Sequence, residues 1–206
     1  MVKSIGPDRF VLVLDRLPES ARAYTASCLQ NQLFLLKITN PRRVRLGSFR
    51  AAPRGGVPQI TINNDLGPYS FLLVLLHELA HHLVWKRYGR KVSPHGKEWK
   101  AAYSDLLIPL LEQHMLPESL EAGLLSYLRK TSATFQSCKL LLSALNLLEG
   151  KGEMLTLADI SDQDSFRLQD GRIMIRYQKL RTRYKCYHPA NKRYYLVPAS
   201  VQIFRP

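Results

Sequence analysis

Acidic residues are scarce in this sequence. Sixteen Asp and Glu stand against 30 Lys and Arg, a formal net charge of +14 over 206 residues. A surplus of that size favours polyanionic partners, nucleic acid above all. Cysteine is scarcer still. Cys28, Cys138 and Cys186 lie far apart and none belongs to a C-x-x-C pair. That excludes a disulfide framework and fits free thiols in a reducing compartment. Long apolar runs are missing too. "FVLVL" is cut short by Asp15 and Arg16, too brief for a signal-peptide core or a membrane span. "FLLVLLHELAHHLVW" carries His and Glu in its middle, which argues against a lipid-facing helix. The expected location is cytoplasmic, with no membrane partner. Repeats, low-complexity tracts and helix-turn-helix, zinc-finger or RRM signatures are absent, so nothing points to sequence-specific readout of nucleic acid.

What is present is enough apolar residue, 46%, to build a packed core. The pattern predicts an α+β fold. A helix over 18–32 precedes three short strands, "LFLLKIT" (33–39), "RRVRLGSFRA" (42–51) and "QITIN" (59–63). "PRGGVP" (53–58) is a turn by composition. A long helix from about Tyr69 to Tyr88 follows, stopped by Gly89, and a second from Gly96 to about Met115. Two further helices, in "ESLEAGLLSYLRK" and "CKLLLSALNLLE", flank a loop at "TSATFQS". After Gly152 the sequence turns β-rich, with "QDGR" and "HPAN" as turns. Three segments are expected: residues 1–116 as an α+β unit, 117–152 as a helical connector and 153–206 as a basic β appendage.

The chemistry concentrates in "HELAHH". His77, Glu78 and His81 form H-E-x-x-H. On a helix, residues four apart lie about 40° apart around the axis and one turn along it, so both imidazoles can reach one ion. Zinc accepts neutral His readily, takes three protein ligands at a catalytic centre and keeps a position for water. The ion makes that water acidic near neutral pH, and Glu78 is placed to take its proton. The competing reading is a hydrogen-bonded polar cluster without an ion. A buried helix with three unpaired polar side chains is costly, however, at a few kcal/mol for each. For a third ligand, Val84 and Arg87 stand where an H-E-x-x-H-x-x-G-x-x-H pattern needs Gly and His. His95, after the Ser-Pro turn and before Gly96, is the better candidate, with Glu98 as runner-up. His82, rotated about 100° from His81, is expected in a supporting or surface position. His114 and His188 have no supporting spacing. Tyr103 is expected in the core, with a role at the oxyanion as the alternative. A peptide substrate would add to a strand edge, with "QITIN" as the candidate.

The combination of "RRVRLGSFR", "ITINNDLGPYSFLLVLLHELAHHLVW" and "PHGKEWK" resembles the SprT-like metalloprotease domain, the fold of the Spartan proteases. The resemblance runs over roughly residues 33–115. It rests on an Arg-x-x-Leu-Gly element (Arg43 to Gly47), an I-x-I-N strand (Ile60 to Asn63), H-E-x-x-H and an H-G-x-x-aromatic element (His95, Gly96, Trp99). It implies one zinc ion per chain held by His77, His81 and His95, with Glu78 as catalytic base, and proteolysis of DNA-bound protein. One departure stands out. Many SprT-like chains end in a zinc ribbon with two cysteine pairs, whereas here only Cys186 is present. One thiol cannot build a four-ligand structural site, so the appendage is expected to be free of zinc.

Charge is concentrated at the C-terminal end. Residues 171–206 contain no Asp or Glu but carry Arg172, Arg176, Lys179, Arg181, Arg183, Lys185, Lys192, Arg193 and Arg205. Strand alternation puts Arg181, Arg183 and Lys185 on one face. With Tyr184, Tyr187, Tyr194 and Tyr195 nearby, the stripe suits phosphate contact and base stacking on single strands or frayed ends. The bland alternative is a solvated face over a tyrosine-rich core. Two functions therefore compete. One is a zinc metalloendopeptidase acting on nucleic-acid-associated proteins, including DNA-protein crosslinks. The other is a nucleic-acid-binding module with a structural or vestigial zinc site and no protease activity.

Overall fold

A computed structural model describes residues 13–42, 45–52, 56–130, 138–150 and 155–206. The expected loop at 131–137, Arg43 and Val44 of the second strand segment, and residues 53–55 of the expected turn lie outside the described residues. Among the described residues the fold is α+β: a small three-stranded sheet, five α-helices and a set of C-terminal strands. It divides into two compact units, Met1–Glu149 and Gly150–Pro206. Among the described residues no helix is long and apolar enough to cross a membrane.

In the first unit, helix α1 spans Glu19–Leu29. Ala21, Thr25 and Leu29 recur every four residues and form its buried stripe. Strands β1 (Leu35–Thr39), β2 (Gly47–Arg50) and β3 (Gln59–Asn63) follow, and the sheet order is β1-β3-β2. β3 pairs parallel with β1 and antiparallel with β2. Lying between two neighbours, it buries Ile60, Thr61, Ile62 and Asn63 alike.

Helix α2 (Pro68–Tyr88) begins with Pro at its first turn and ends at Gly89, whose φ of 63° suits glycine and whose N–H donates to the Trp85 carbonyl. The helix is apolar on nearly every side because it packs on the sheet and on helix α3 (Lys97–Glu112). On α3, Trp99, Tyr103, Leu106, Leu107 and Leu110 recur at helical spacing and face inward. Helices α4 (Glu118–Lys130) and α5 (Lys139–Leu148) pack on each other. A Cβ at Gly123 would stand 2.7 Å from the Leu141 Cα, so the crossing needs glycine. Leu120, Leu124, Leu141 and Leu145 join the same core as α2 and α3. The helices expected as a connector thus belong to the first unit: each presents a largely apolar stripe to the same core as α2 and α3.

The second unit has its own core of Leu157, Phe166, Met174, Tyr184, Cys186, Val197 and Ile203. Strands β5 (Ser165–Arg167), β6 (Ile173–Lys179), β7 (Arg183–His188) and β8 (Arg193–Pro198) form an antiparallel meander in that order. β4 (Leu155–Thr156) pairs with β9 (Gln202–Ile203). Cys186 is fully buried between the meander and the rest of this core.

Candidate metal centre and basic sheet face

His77 and His81 project from the same face of α2. His95 comes from the loop between α2 and α3, and its backbone is left-handed, with φ 58°. That conformation is uncommon outside glycine, though His is among the residues enriched in it, and such strain clusters at functional sites. The Gly96 N–H donates to the Ser93 carbonyl at 3.0 Å and fixes the turn that carries His95. The imidazoles converge. His81 Nε2 lies 3.0 Å from His95 Nε2, and His95 Nε2 lies 3.2 Å from His77 Nε2. A tetrahedral ion with ligands at about 2.0–2.1 Å sets its nitrogens about 3.3 Å apart. The three donors therefore fit one ion. Burial, then the neighbouring imidazoles, pushes His77 down to about 3, and the same causes push His81 down to about 4. Neutral rings leave lone pairs free for a metal.

The surroundings hold these rings in place. Trp99, 1% exposed, lies under all three, with ring centroids 4.6 Å from His77, 5.3 Å from His81 and 4.6 Å from His95. Its Nε1–H points to the His77 carbonyl at 3.4 Å. Phe49 of β2 stacks over His81 at 6.4 Å. Glu78 is buried beside the triad. Burial pushes its carboxyl up to about 7, while the Phe49 backbone N–H and the charges of Arg42 and Arg45 pull the other way.

The remaining sequence expectations divide here. Glu98, the runner-up ligand, is not among the three residues brought within reach of one ion; it lines a separate cavity with Leu83 and Arg87. His82 is not at the surface. It is 2% exposed in a box of Phe34, Phe49 and Trp85, and neither ring nitrogen has a hydrogen-bond partner among the described residues. Tyr103 is core, its hydroxyl donating to the Leu73 carbonyl at 3.1 Å. "QITIN" is the central strand and has no free edge. The edge beside the site is β2, placed there by Gly47 against Glu78 and by Phe49 against His81. Sequence reasoning gave neither Phe49 nor Gly47 a role at the site, although Gly47 closes the Arg-x-x-Leu-Gly element. His114 faces Glu121 at 3.3 Å, and His188 accepts from the Asn191 N–H.

In the second unit the basic residues separate by role. Arg183 and Lys185 alternate with buried Tyr184 and Cys186, so they share the outer face of β7. Tyr177, Tyr187 and Tyr194 cluster on that face with centroids 5.1–6.4 Å apart, and Lys185 Nζ sits 4.4 Å from the Tyr194 ring. Arg181 is in the turn before β7, not on the strand, because the Leu180 N–H bonds the Arg183 carbonyl. Arg176 is a correction. It is buried, bonds Asp162 at 2.9 Å and the Leu157 carbonyl at 3.0 Å, and lies 4.3 Å from the Tyr184 ring, so its guanidinium is used inside the fold. Arg172 pairs with Asp170 at 2.7 Å at the β5–β6 turn. Lys179, Lys192 and Arg193 are exposed at strand ends and turns.

Residues 40–107 match the SprT-like family. Protein SprT from Escherichia coli O9:H4 (strain HS) and Protein SprT from Salmonella arizonae are each 55% identical over 42 residues, which is 20% of this chain and 25% of the relative. The chain thus matches about a quarter of the length of these curated relatives. No solved structure matches it. The matched SprT-like segment contains β2, β3, all of α2 and the first turns of α3, and with them every residue of the triad.

Proposed function

We propose that this protein is a zinc-dependent metalloendopeptidase built on zincin-type packing of α2 against the sheet, acting on proteins associated with nucleic acid. The observation that carries the reading is the convergence of three imidazoles, with His95 Nε2 3.0 Å from His81 Nε2 and 3.2 Å from His77 Nε2, next to a buried carboxyl. His77, His81 and His95 would hold the ion. When bound it supplies Lewis acidity, polarising a carbonyl and making a water acidic near neutral pH. Glu78 takes the proton from the attacking water and returns it to the leaving amine. Its position is set by the Phe49 N–H on one side and Gly47 on the other. A substrate in extended form would add to the β2 edge, which brings its backbone alongside Glu78 and His81.

The outer face of the second unit supports the nucleic-acid part of the reading. Arg183 and Lys185 supply charge for phosphates, and the Tyr177–Tyr187–Tyr194 cluster supplies surfaces for bases. Exposed Lys179, Lys192 and Arg193 add charge without order along one stripe.

Glu78→Gln tests the reading. Zinc content should stay near one per chain while cleavage of a DNA-bound protein is lost. Full cleavage by the zinc-loaded variant would remove Glu78 as the base, and absence of cleavage by the zinc-loaded parent would return the chain to a binding module. Comparing parent rates with and without DNA tests whether nucleic acid gates the activity, and equal rates would exclude gating.

A further inference from the structure

We propose that the cavity beside His81 selects the substrate, taking one large apolar side chain, aromatic or branched aliphatic, of a peptide lying across the centre. This rests on the peptidase reading above and names the residue class it would prefer. The cavity measures about 250 Å³. Pockets for whole drug-sized ligands run from roughly 300 to 1,000 Å³, so this one suits a single side chain. Phe49, Trp85, Val92, Pro94 and Trp99 make its walls, and His81 forms the side toward the triad. An occupant therefore sits against the His81 ring, one of the three that would hold the ion.

Charge narrows the choice. None of the lining residues is acidic, and Arg90 is the only Lys or Arg among them. A basic side chain would enter without a counter-ion and meet Arg90, which is unfavourable. An apolar one gains by leaving water. The walls are fixed before any ligand arrives. Trp99 is packed in the core, α2 stops at left-handed Gly89, and the Ser93–Gly96 turn closes the loop between them.

Both tryptophans of the chain, Trp85 and Trp99, line this cavity, so intrinsic fluorescence reads its occupancy with or without metal. The probes are N-acetyl-phenylalaninamide and N-acetyl-leucinamide against N-acetyl-glycinamide and N-acetyl-lysinamide. The first two should give a saturable change at concentrations about tenfold or more below the others. In parallel, the zinc-loaded protein is given an unfolded protein substrate and its cuts are mapped by mass spectrometry. Large apolar residues should be enriched at one fixed position from the cut, and Val92→Phe, which fills the cavity, should bring that enrichment to background. If that variant does not fold, Trp85→Ala enlarges the cavity at a half-buried position and should move the preference from Leu toward aromatic residues. Equal response to all four probes overturns the inference. So does unchanged enrichment in a folded variant with parental zinc content. Selective probe binding without any cleavage supports the pocket and overturns the peptidase reading instead.

Discussion

Gly47 of β2 lies directly against Glu78 of α2. A Cβ at Gly47 would stand 2.7 Å from Glu78 Oε1 and 2.6 Å from Val74 Cγ1, closer than non-bonded carbon atoms tolerate. The requirement is for space, since the strand and the helix meet at hydrogen-bonding range only if no side chain separates them. Gly47→Ala should therefore displace the carboxylate or push β2 away. Overpacking of this kind costs about 1–3 kcal/mol of stability. A displacement near 1 Å at a reacting group costs up to about 10²-fold in rate. Cleavage should fall at least tenfold while zinc content stays near the parental value, as read by a rate assay beside elemental analysis.

The ligand assignment has its own test. His95→Ala should weaken zinc binding by more than the 10–100-fold typical of losing a supporting partner, because a direct donor is gone. Glu98→Ala should leave affinity within about twofold, since that carboxylate lines a different cavity. Competition with a chromophoric chelator measures both. Reversal of the two effects would make Glu98 the ligand.

Metal binding should also appear as stability. An ion that binds the folded state adds about 2.7 kcal/mol at a hundred times its dissociation constant. For a unit of this size that corresponds to roughly 5–10 °C in melting temperature. Zinc added to metal-stripped protein should raise the melting transition of the first unit by about that amount, and His81→Ala should abolish the rise. Scanning calorimetry with and without zinc checks it.

The basic residues of the second unit should divide in the same experiment. Replacing Arg183 and Lys185 together with Glu should weaken single-stranded nucleic-acid binding and lower the salt slope by about 0.7 for each phosphate that is no longer neutralised. The melting temperature should hardly change, since both side chains are exposed. Arg176→Ala should do the opposite. It leaves the Leu157 carbonyl without its donor and should cost about 1–3 kcal/mol of that unit's stability. Fluorescence anisotropy across a salt series and thermal melts separate the two outcomes.

The parts of the site carried by one helix were legible in the sequence, because helical periodicity alone puts His77, Glu78 and His81 together. His95 was legible as a candidate from its turn, but its left-handed backbone, which aims the ring, follows from how the loop closes. Strand order was not legible. The alternation in "QITIN" speaks of the two faces of a strand and not of its neighbours, and only the parallel pairing with β1 on one side and the antiparallel pairing with β2 on the other makes it central. Arg176 failed for a related reason. A run of basic residues does not reveal which one faces inward, and Asp162, its partner, lies 14 residues away in another loop. The surface alternative for His82 failed because an angle around a helix says where a ring points, not what covers it. Here Phe34 and Phe49 from the sheet side do.

The most direct test of the whole account is anomalous diffraction from crystals of the zinc-loaded protein, recorded on both sides of the zinc absorption edge. One peak should lie about 2.0–2.1 Å from Nε2 of His77, His81 and His95 together, with the Glu78 carboxylate nearby and not bonded to it. A peak elsewhere, or rings at hydrogen-bonding distance with no peak between them, would contradict it.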